Sequence, residues 1–598
     1  MQLHTIDWII AFFAVAICFV PALFFGKRSG KNTAEFFASG RSVPWWLAGL
    51  SMVATTFSSD TPNLVANFVR TQGVAGNWQW WAFTLTGVAT VFFYARLWRR
   101  SGVLTDLEFY ELRYSGKAAS AVRGFRSVYL GLLFNCMIMA TVNLAACKIA
   151  AILFGLERWQ TLLAVGLLNV VFATHSGLWG VLVIDMIQFF IKMSAVIAAA
   201  YFAVTLPQVG GMSGLVDKLS AMRGPGGLNY LNMLPDFQNG WNLAFAVFIM
   251  PIAVQWWAVW YPGAEPGGGS YIAQRMLASK SEKDALGGTL FFNVAHYVLR
   301  PWPWILVGLA SLIVYPQLSD IQKAFPHLDP SLVGHDIAYP AMLRFLPAGW
   351  IGLMLGGLIA ANSSTILTHL NWGASYLVHD FYRRFVRRDA SEHHYVLAGR
   401  FATILLFVLS SAMVFALDTA QGSFNIILQI GAGTGLLYLL RWFWWRITAW
   451  CEIVAMISSF LVSLVLLILA RNGMPIGTAQ GLIITIAVTT ICWIVTAYVG
   501  PRTDEKVLVE FCRKVRPFGP GWTPVRLKAG LTEADVAVAT DNIPLALVGW
   551  LSGCAMIWSA LFTVGNFLYG RTGYALGLMA VFLVSGGIVT HVVKRLWR

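Results

Sequence analysis

Charge is scarce in this sequence. Asp, Glu, Lys and Arg make up 12% of its 598 residues, about half the roughly 25% of an ordinary soluble domain. Hydrophobic residues make up 58%, and mean hydropathy is +0.66. A soluble fold has nowhere to bury that much apolar surface, so lipid must be part of the solvent. Paired cysteines are lacking as well. Of seven, Cys18, Cys136, Cys147, Cys451, Cys492 and Cys554 lie inside apolar runs, and no C-x-x-C spacing occurs. That argues against a zinc module or a disulfide framework. There is no G-x-x-x-x-G-K-[ST], H-E-x-x-H or G-x-S-x-G. The motifs of nucleotide-driven pumping and of two hydrolase classes are therefore missing, and the expectation is a protein that is not an enzyme.

What the chain does contain is apolar runs long enough to cross the bilayer. They lie near 7–25, 45–69, 76–98, 123–154, 159–174, 179–206, 241–262, 285–315, 349–380, 396–417, 423–444, 448–470, 478–500, 545–568 and 574–594. The run lengths predict about 15 spans of an all-α polytopic protein. The first run has no basic residue before it, while Lys27, Arg28 and Lys31 follow, the reverse of a signal peptide. With the N-terminus outside and every run crossing, most Lys and Arg fall on inside loops, as cytoplasmic loops require. The net charge of +15 thus reads as topology and not as a nucleic-acid footprint. The C-terminus falls inside, and the expected site is the plasma membrane.

Two runs are interrupted. Ser51–Asn67 holds a Ser/Thr cluster and Pro62; Pro251–Tyr271 holds three prolines and a run of glycines. Inside a membrane, freed backbone groups need partners, so such breaks line a cavity or a buried site. Five runs from 45 end at 206, and the second interrupted run opens the next five, which end at 444. Matching breaks in successive halves point to an inverted-repeat secondary transporter. The implied organisation is 1–44 (extra helix and linker), 45–206 (first repeat), 207–240 (external loop), 241–444 (second repeat) and 445–598 (about four further helices and a cytoplasmic loop at 501–543).

The run at 349–380 carries the clearest candidate site. Ala361, Ser364 and Thr365 stand at i, i+3 and i+4 and share one helix face. Hydroxyls beside carbonyls of a broken helix make a neutral oxygen site, which suits a hard monovalent cation. Ser and Thr also hydrogen bond back to their own helix, so the spacing alone leaves both readings open.

Several segments in order resemble the sodium/solute symporter family, which includes bacterial sodium/galactose and sodium/proline transporters. They are WWLAGLS at Trp45–Ser51, GLWGVLVIDMIQ at Gly177–Gln188, IAQRMLASKS at Ile272–Ser281, Ala360–Thr365, and RWFWWRITAW at Arg441–Trp450. The resemblance covers most of the chain. It implies a LeuT-like core of five plus five inverted helices and, by its bacterial members, an inner-membrane location. It also implies a sodium site made by carbonyls of Ala54, Phe57 and Ala361 with hydroxyls of Ser364 and Thr365. No Lys or Arg is expected in that neighbourhood.

Asp185 matches the family's acidic residue on the ion path. An ionisable group inside a span is functional by default, although an ion pair with Lys192, at i+7, is the structural alternative. Some relatives hold a second sodium with this aspartate and two hydroxyls. The matching positions here are Leu367 and Thr368, so one hydroxyl is missing. For the solute, Asp60, Gln79, Trp256, Trp260, Tyr261, Tyr297 and Arg300 are the candidates. Neither the sugar nor the proline pattern carries over intact. The resemblance implies a symporter that takes up sodium with a small polar organic solute (sugar, amino acid or organic acid). The partners expected are that solute and the lipid bilayer, with no nucleic acid and no obligate protein partner. A proton-coupled or facilitative carrier, or a non-transporting sensor, remains the alternative.

Overall fold

The computed structural model describes residues 3–25, 27, 30–258, 266–417, 433–474, 476–531 and 543–596. Helices account for the architecture. Among the described residues the only extended pairing is one isolated parallel bridge between Val43 and Ser279. Nine of the described helices are long and apolar enough to cross a membrane. The sequence spans outside that set are the interrupted or short ones. Thr5–Phe19 and Trp241–Ala253 are apolar but short, and the run at 76–98 is a succession of short helices from Trp78 to Ser101. The first part of the run at 423–444, up to residue 432, and the centre of the second interruption lie outside the described residues. The runs at 159–174 and 179–206 form one 47-residue helix, Arg158–Val204, kinked at Gly177. There φ is 55° and ψ −161°, a conformation only glycine adopts without steric cost.

Burial sorts the helices into centre and rim. The most apolar window of Trp350–Val386 is 89% buried, whereas those of Ala449–Ala470 and Thr572–Leu596 are 17% and 22% buried. The helix that carries Ser364 is therefore the central element. The C-terminal helices present Leu, Ile, Val and Phe to their surroundings, as a lipid-facing surface does.

The first interrupted run is two helices, Trp45–Thr56 and Asp60–Gln72. Phe57 leaves helical geometry at φ −94° and ψ 71°. Local chemistry explains the break. Ser58 donates to Asp60 Oδ1, and Ser59 Oγ donates to Val142 O at 3.0 Å, so hydroxyls compete with the helix for backbone geometry. Pro62 then falls in the first turn of the second half, where its missing N–H costs nothing. A similar interruption bends Glu282–Val314. A π turn at Ala295–Leu299 precedes Pro301, which cannot donate to the carbonyl of Tyr297.

Small residues let the halves of these two spans meet closely. A Cβ on Gly49 would stand 2.7 Å from Gly288 O, and one on Gly288 would stand 3.0 Å from Trp45 O. Van der Waals packing of this kind replaces the hydrophobic drive that helices lack in lipid. Gly577, by contrast, has nothing within 4 Å of a built Cβ. Gly49→Ala is expected to lower the unfolding temperature of detergent-purified protein, with a cost of about 1–3 kcal/mol for overpacking. The same change at Gly577 should not lower it, and equal effects would refute the close-contact account.

Candidate functional site

The oxygen-rich junction lies where the first break meets the central helix. Thr365 Oγ1 donates to Thr55 O at 2.7 Å and to Ala361 O at 3.3 Å. Ser364 Oγ donates to Asp185 Oδ1 at 2.7 Å. Ala54, Phe57, Ala361, Ser364 and Thr365 are all buried. Ala54 O and Phe57 O lie at the C-terminal end of the first half-helix, which carries a partial negative charge.

A cation already stands on those carbonyls. Lys192 Nζ donates to Ala54 O at 2.8 Å and to Phe57 O at 3.2 Å, and it lies 5.4 Å from the centroid of the Phe57 ring. This corrects the expectation that no Lys or Arg occupies the neighbourhood, and it sets aside the alternative in which Lys192 is the direct ion-pair partner of Asp185. Both residues lie on Arg158–Val204, and no hydrogen bond or close ion pair joins them: the ammonium bonds the carbonyls of the break, while the Asp185 carboxylate attracts it at longer range.

Asp185 is fully buried and is met from three other elements. Ser51 Oγ donates to its Oδ2 at 2.5 Å, Thr55 Oγ1 lies at 3.5 Å, and Arg275 Nη2 lies at 3.7 Å, in addition to the Ser364 contact. Arg275 also donates to Ser51 Oγ at 3.1 Å, Thr368 Oγ1 at 2.8 Å and Gln274 Oε1 at 2.7 Å. Thr368 and Thr55 share a hydroxyl contact of 3.0 Å. The cationic partner of Asp185 is thus Arg275, which comes from the motif IAQRMLASKS. Sequence alone does not mark that arginine as a site residue, because it stands close before Lys280 and Lys283 and reads there as topology charge.

The solute candidates separate. Tyr297 lines a small, partly open cavity of about 40 Å³ with Thr86, Thr90, Tyr271, Asn293 and the backbone of Gly268, and stacks on Trp80 at 5.9 Å. Thr86 Oγ1 and Asn293 Oδ1 are buried there without a hydrogen-bond partner. Such atoms in a cavity are what a polar ligand satisfies. Arg300 is not at the lining. It donates to Val53 O and Thr56 Oγ1, both at 3.3 Å, beside His296, and so braces the end of the first half-helix. Gln79 is engaged with Gln72 and Gly76 O. Trp256 packs on Trp257 and Trp550 at 5.4 and 5.6 Å. Asp60 accepts from Ser58 at the break. Trp260 and Tyr261 lie outside the described residues. Thr86, Thr90, Tyr271 and Asn293 carried no sequence signal, because single polar residues on apolar helices have no spacing to mark them.

Comparison with known proteins adds an independent line. Residues 36–459 match the model of the sodium:solute symporter family. The sodium/glucose cotransporter of Vibrio parahaemolyticus is 26% identical over 72% of this chain and 79% of its own length. Sodium/glucose cotransporter 1 of Oryctolagus cuniculus is 24% identical over 77% of this chain and 71% of its own. Against solute carrier family 5 member 4 of Rattus norvegicus, at 24% identity, the chain spans 62% of that relative's length. Among solved structures, a Na+-coupled sialic acid symporter in a substrate-bound outward-open state matches 84% of this chain and all of its own. Its TM-score is 0.63 and its identity 20%, a likeness of fold that gives this chain an all-helical, LeuT-like architecture.

Removing one member of a buried ion pair costs about 3–5 kcal/mol, because the other charge is left unpaired. Arg275→Met is therefore expected to destabilise the protein by roughly that amount, and Asp185→Asn/Arg275→Met to recover part of the loss. Unfolding of the two single variants and the double variant in detergent checks this. Strictly additive effects would show that the two side chains are not coupled.

Proposed function

Since the chain belongs to the sodium:solute symporter family, and sodium is the ion that this multi-pass membrane family co-transports, we propose that it imports a small, neutral, polar organic solute together with sodium by alternating access. The observation that carries this reading is the junction of Ala54, Phe57, Ala361, Ser364 and Thr365 at the break. Thr365 Oγ1 bonds both Thr55 O at the break and Ala361 O, which supports reading these carbonyls and hydroxyls as the neutral oxygen donor set of a monovalent hard cation. Asp185 stands behind it, holding Ser364. The fold is read as five plus five inverted helices with an extra N-terminal helix, about 15 spans in all, an outside N-terminus and an inside C-terminus.

The cavity chemistry narrows the solute. Among the described residues its lining holds hydroxyls, one carboxamide, aromatic rings and backbone, with no charged side chain. An organic acid or a zwitterion would need a counter-charge that this lining does not supply. A polyhydroxylated or similar neutral solute fits hydroxyls, a carboxamide and stacking rings. A membrane potential of 100 mV contributes ~2.3 kcal/mol per charge, and a tenfold sodium gradient about 1.4 kcal/mol. One sodium per cycle would then concentrate a neutral solute on the order of a few hundred-fold. A sodium-independent carrier on the same fold is the second reading, favoured by the Lys192 ammonium on the break carbonyls.

Uptake into proteoliposomes tests both readings. A panel of labelled sugars, polyols, amino acids and organic acids is offered with an inward sodium gradient or with choline. Accumulation of a neutral solute in sodium, lost in Ser364→Ala/Thr365→Ala, is the expected result. Asn293→Ala should raise the half-saturating solute concentration about tenfold, the worth of a lost hydrogen bond of roughly 1.4 kcal/mol. Equal uptake in choline would move the assignment to the sodium-independent carrier.

A further inference from the structure

The ammonium of Lys192 does at the break what an alkali cation would do. It sits on two carbonyls at the end of a half-helix, at 2.8 and 3.2 Å, beneath an aromatic ring. It is buried and has no hydrogen bond to a carboxylate. The nearest acid on its own helix, Asp185, is occupied by Ser51, Ser364 and Arg275. The direct contacts of the Lys192 ammonium are therefore carbonyl dipoles, as those of a dehydrated metal ion are, with the Asp185 carboxylate acting on it at longer range. Its stem enters along the seam with the central helix, where a Cβ on Gly357 would lie 3.8 Å from Lys192 Cα. The side chain thus starts at the seam between Arg158–Val204 and the central helix and ends on the first break.

We propose that Lys192 is a tethered cation that competes with sodium for the carbonyls of Ala54 and Phe57. This rests on the reading of the Ala54–Ser364 junction as the sodium position. Two unit positive charges cannot share one carbonyl pair inside a span, where nothing screens their repulsion. Sodium enters only when the ammonium swings off, and the ammonium holds the broken helix to Arg158–Val204 whenever sodium is absent. Lys192 thereby sets the sodium affinity of the carrier without being a sodium ligand. A long, flexible, single-point cation suits this role, since it can leave and return without repacking its neighbours.

The test is sodium-dependent thermal stabilisation of the purified full chain, with sodium chloride as probe and potassium chloride as control. Wild type is compared with Lys192→Met, Lys192→Gln and Lys192→Arg. Met keeps the stem and removes the charge; Gln keeps a donor without charge, and serves if Met does not fold; Arg keeps the charge. The half-saturating sodium concentration is expected to fall at least tenfold in the two neutral variants and to stay near wild type in Lys192→Arg. A wild type blind to sodium beside a responsive Lys192→Met would support the same competition at its limit. A sodium response in wild type that the neutral variants leave unchanged or weaken would overturn the competition and leave the symporter reading intact. Absence of any sodium response, in wild type and neutral variants alike, would overturn both.

Discussion

A charge buried inside a membrane protein must find its counter-charge and its hydrogen bonds within the protein, and the centre of this molecule is organised by that demand. Asp185 has no water to turn to. Its two oxygens gather Ser51 and Thr55 from the first half-helix, Ser364 from the central helix and Arg275 from the segment after the second interruption. Arg275 passes the connection on to Thr368 and Gln274. Elements far apart in the chain are tied at one point, and each contact would leave an unsatisfied polar group if it were broken.

The same demand explains why the oxygens at the break are arranged as they are. A helix that stops in mid-membrane exposes carbonyls, and those carbonyls need donors or cations. Thr365 meets Thr55 O, and Lys192 meets Ala54 O and Phe57 O. The site is therefore not a passive cage. Its carbonyls are held by a side chain from the neighbouring helix, and under the proposed function cation binding would be an exchange between occupants.

Much of this was legible in the sequence, and for physical reasons. Pro62 beside a Ser/Thr cluster marks a helix that cannot continue, and the break falls at Phe57–Ser59, inside the predicted segment. The shared face of Ala361, Ser364 and Thr365 follows from helical periodicity alone. What sequence could not reveal was pairing at a distance. Periodicity placed Lys192 and Asp185 on one face and suggested that they meet, yet side-chain length and the position of the break sent them to different partners. Arg275 gave no sign of being central, since an arginine near a basic loop reads as a topology signal. The uncharged cavity residues, Thr86 and Asn293 among them, stand alone in apolar helices and form no pattern until the helices are packed.

The interruptions of two different spans have a mechanical meaning. Trp45–Thr56 packs backbone to backbone against Glu282–Val294 through Gly49 and Gly288, and Asp284 Oδ1 accepts from Trp45 N. Beyond the break, Asp60–Gln72 packs on Pro301–Val314, with Arg70 donating to Ser311 O and Tyr315 O. Each half of one span is thus fastened to one half of the other. The two bends, at Phe57–Ser59 and at Ala295–Arg300, lie side by side and are linked by Arg300 to Val53 O. The pair is built as two double-stranded levers on a common axle. A tilt of one lever carries both of its helices, and the carbonyls of Ala54 and Phe57, which accept from Lys192, sit at the axle between the levers.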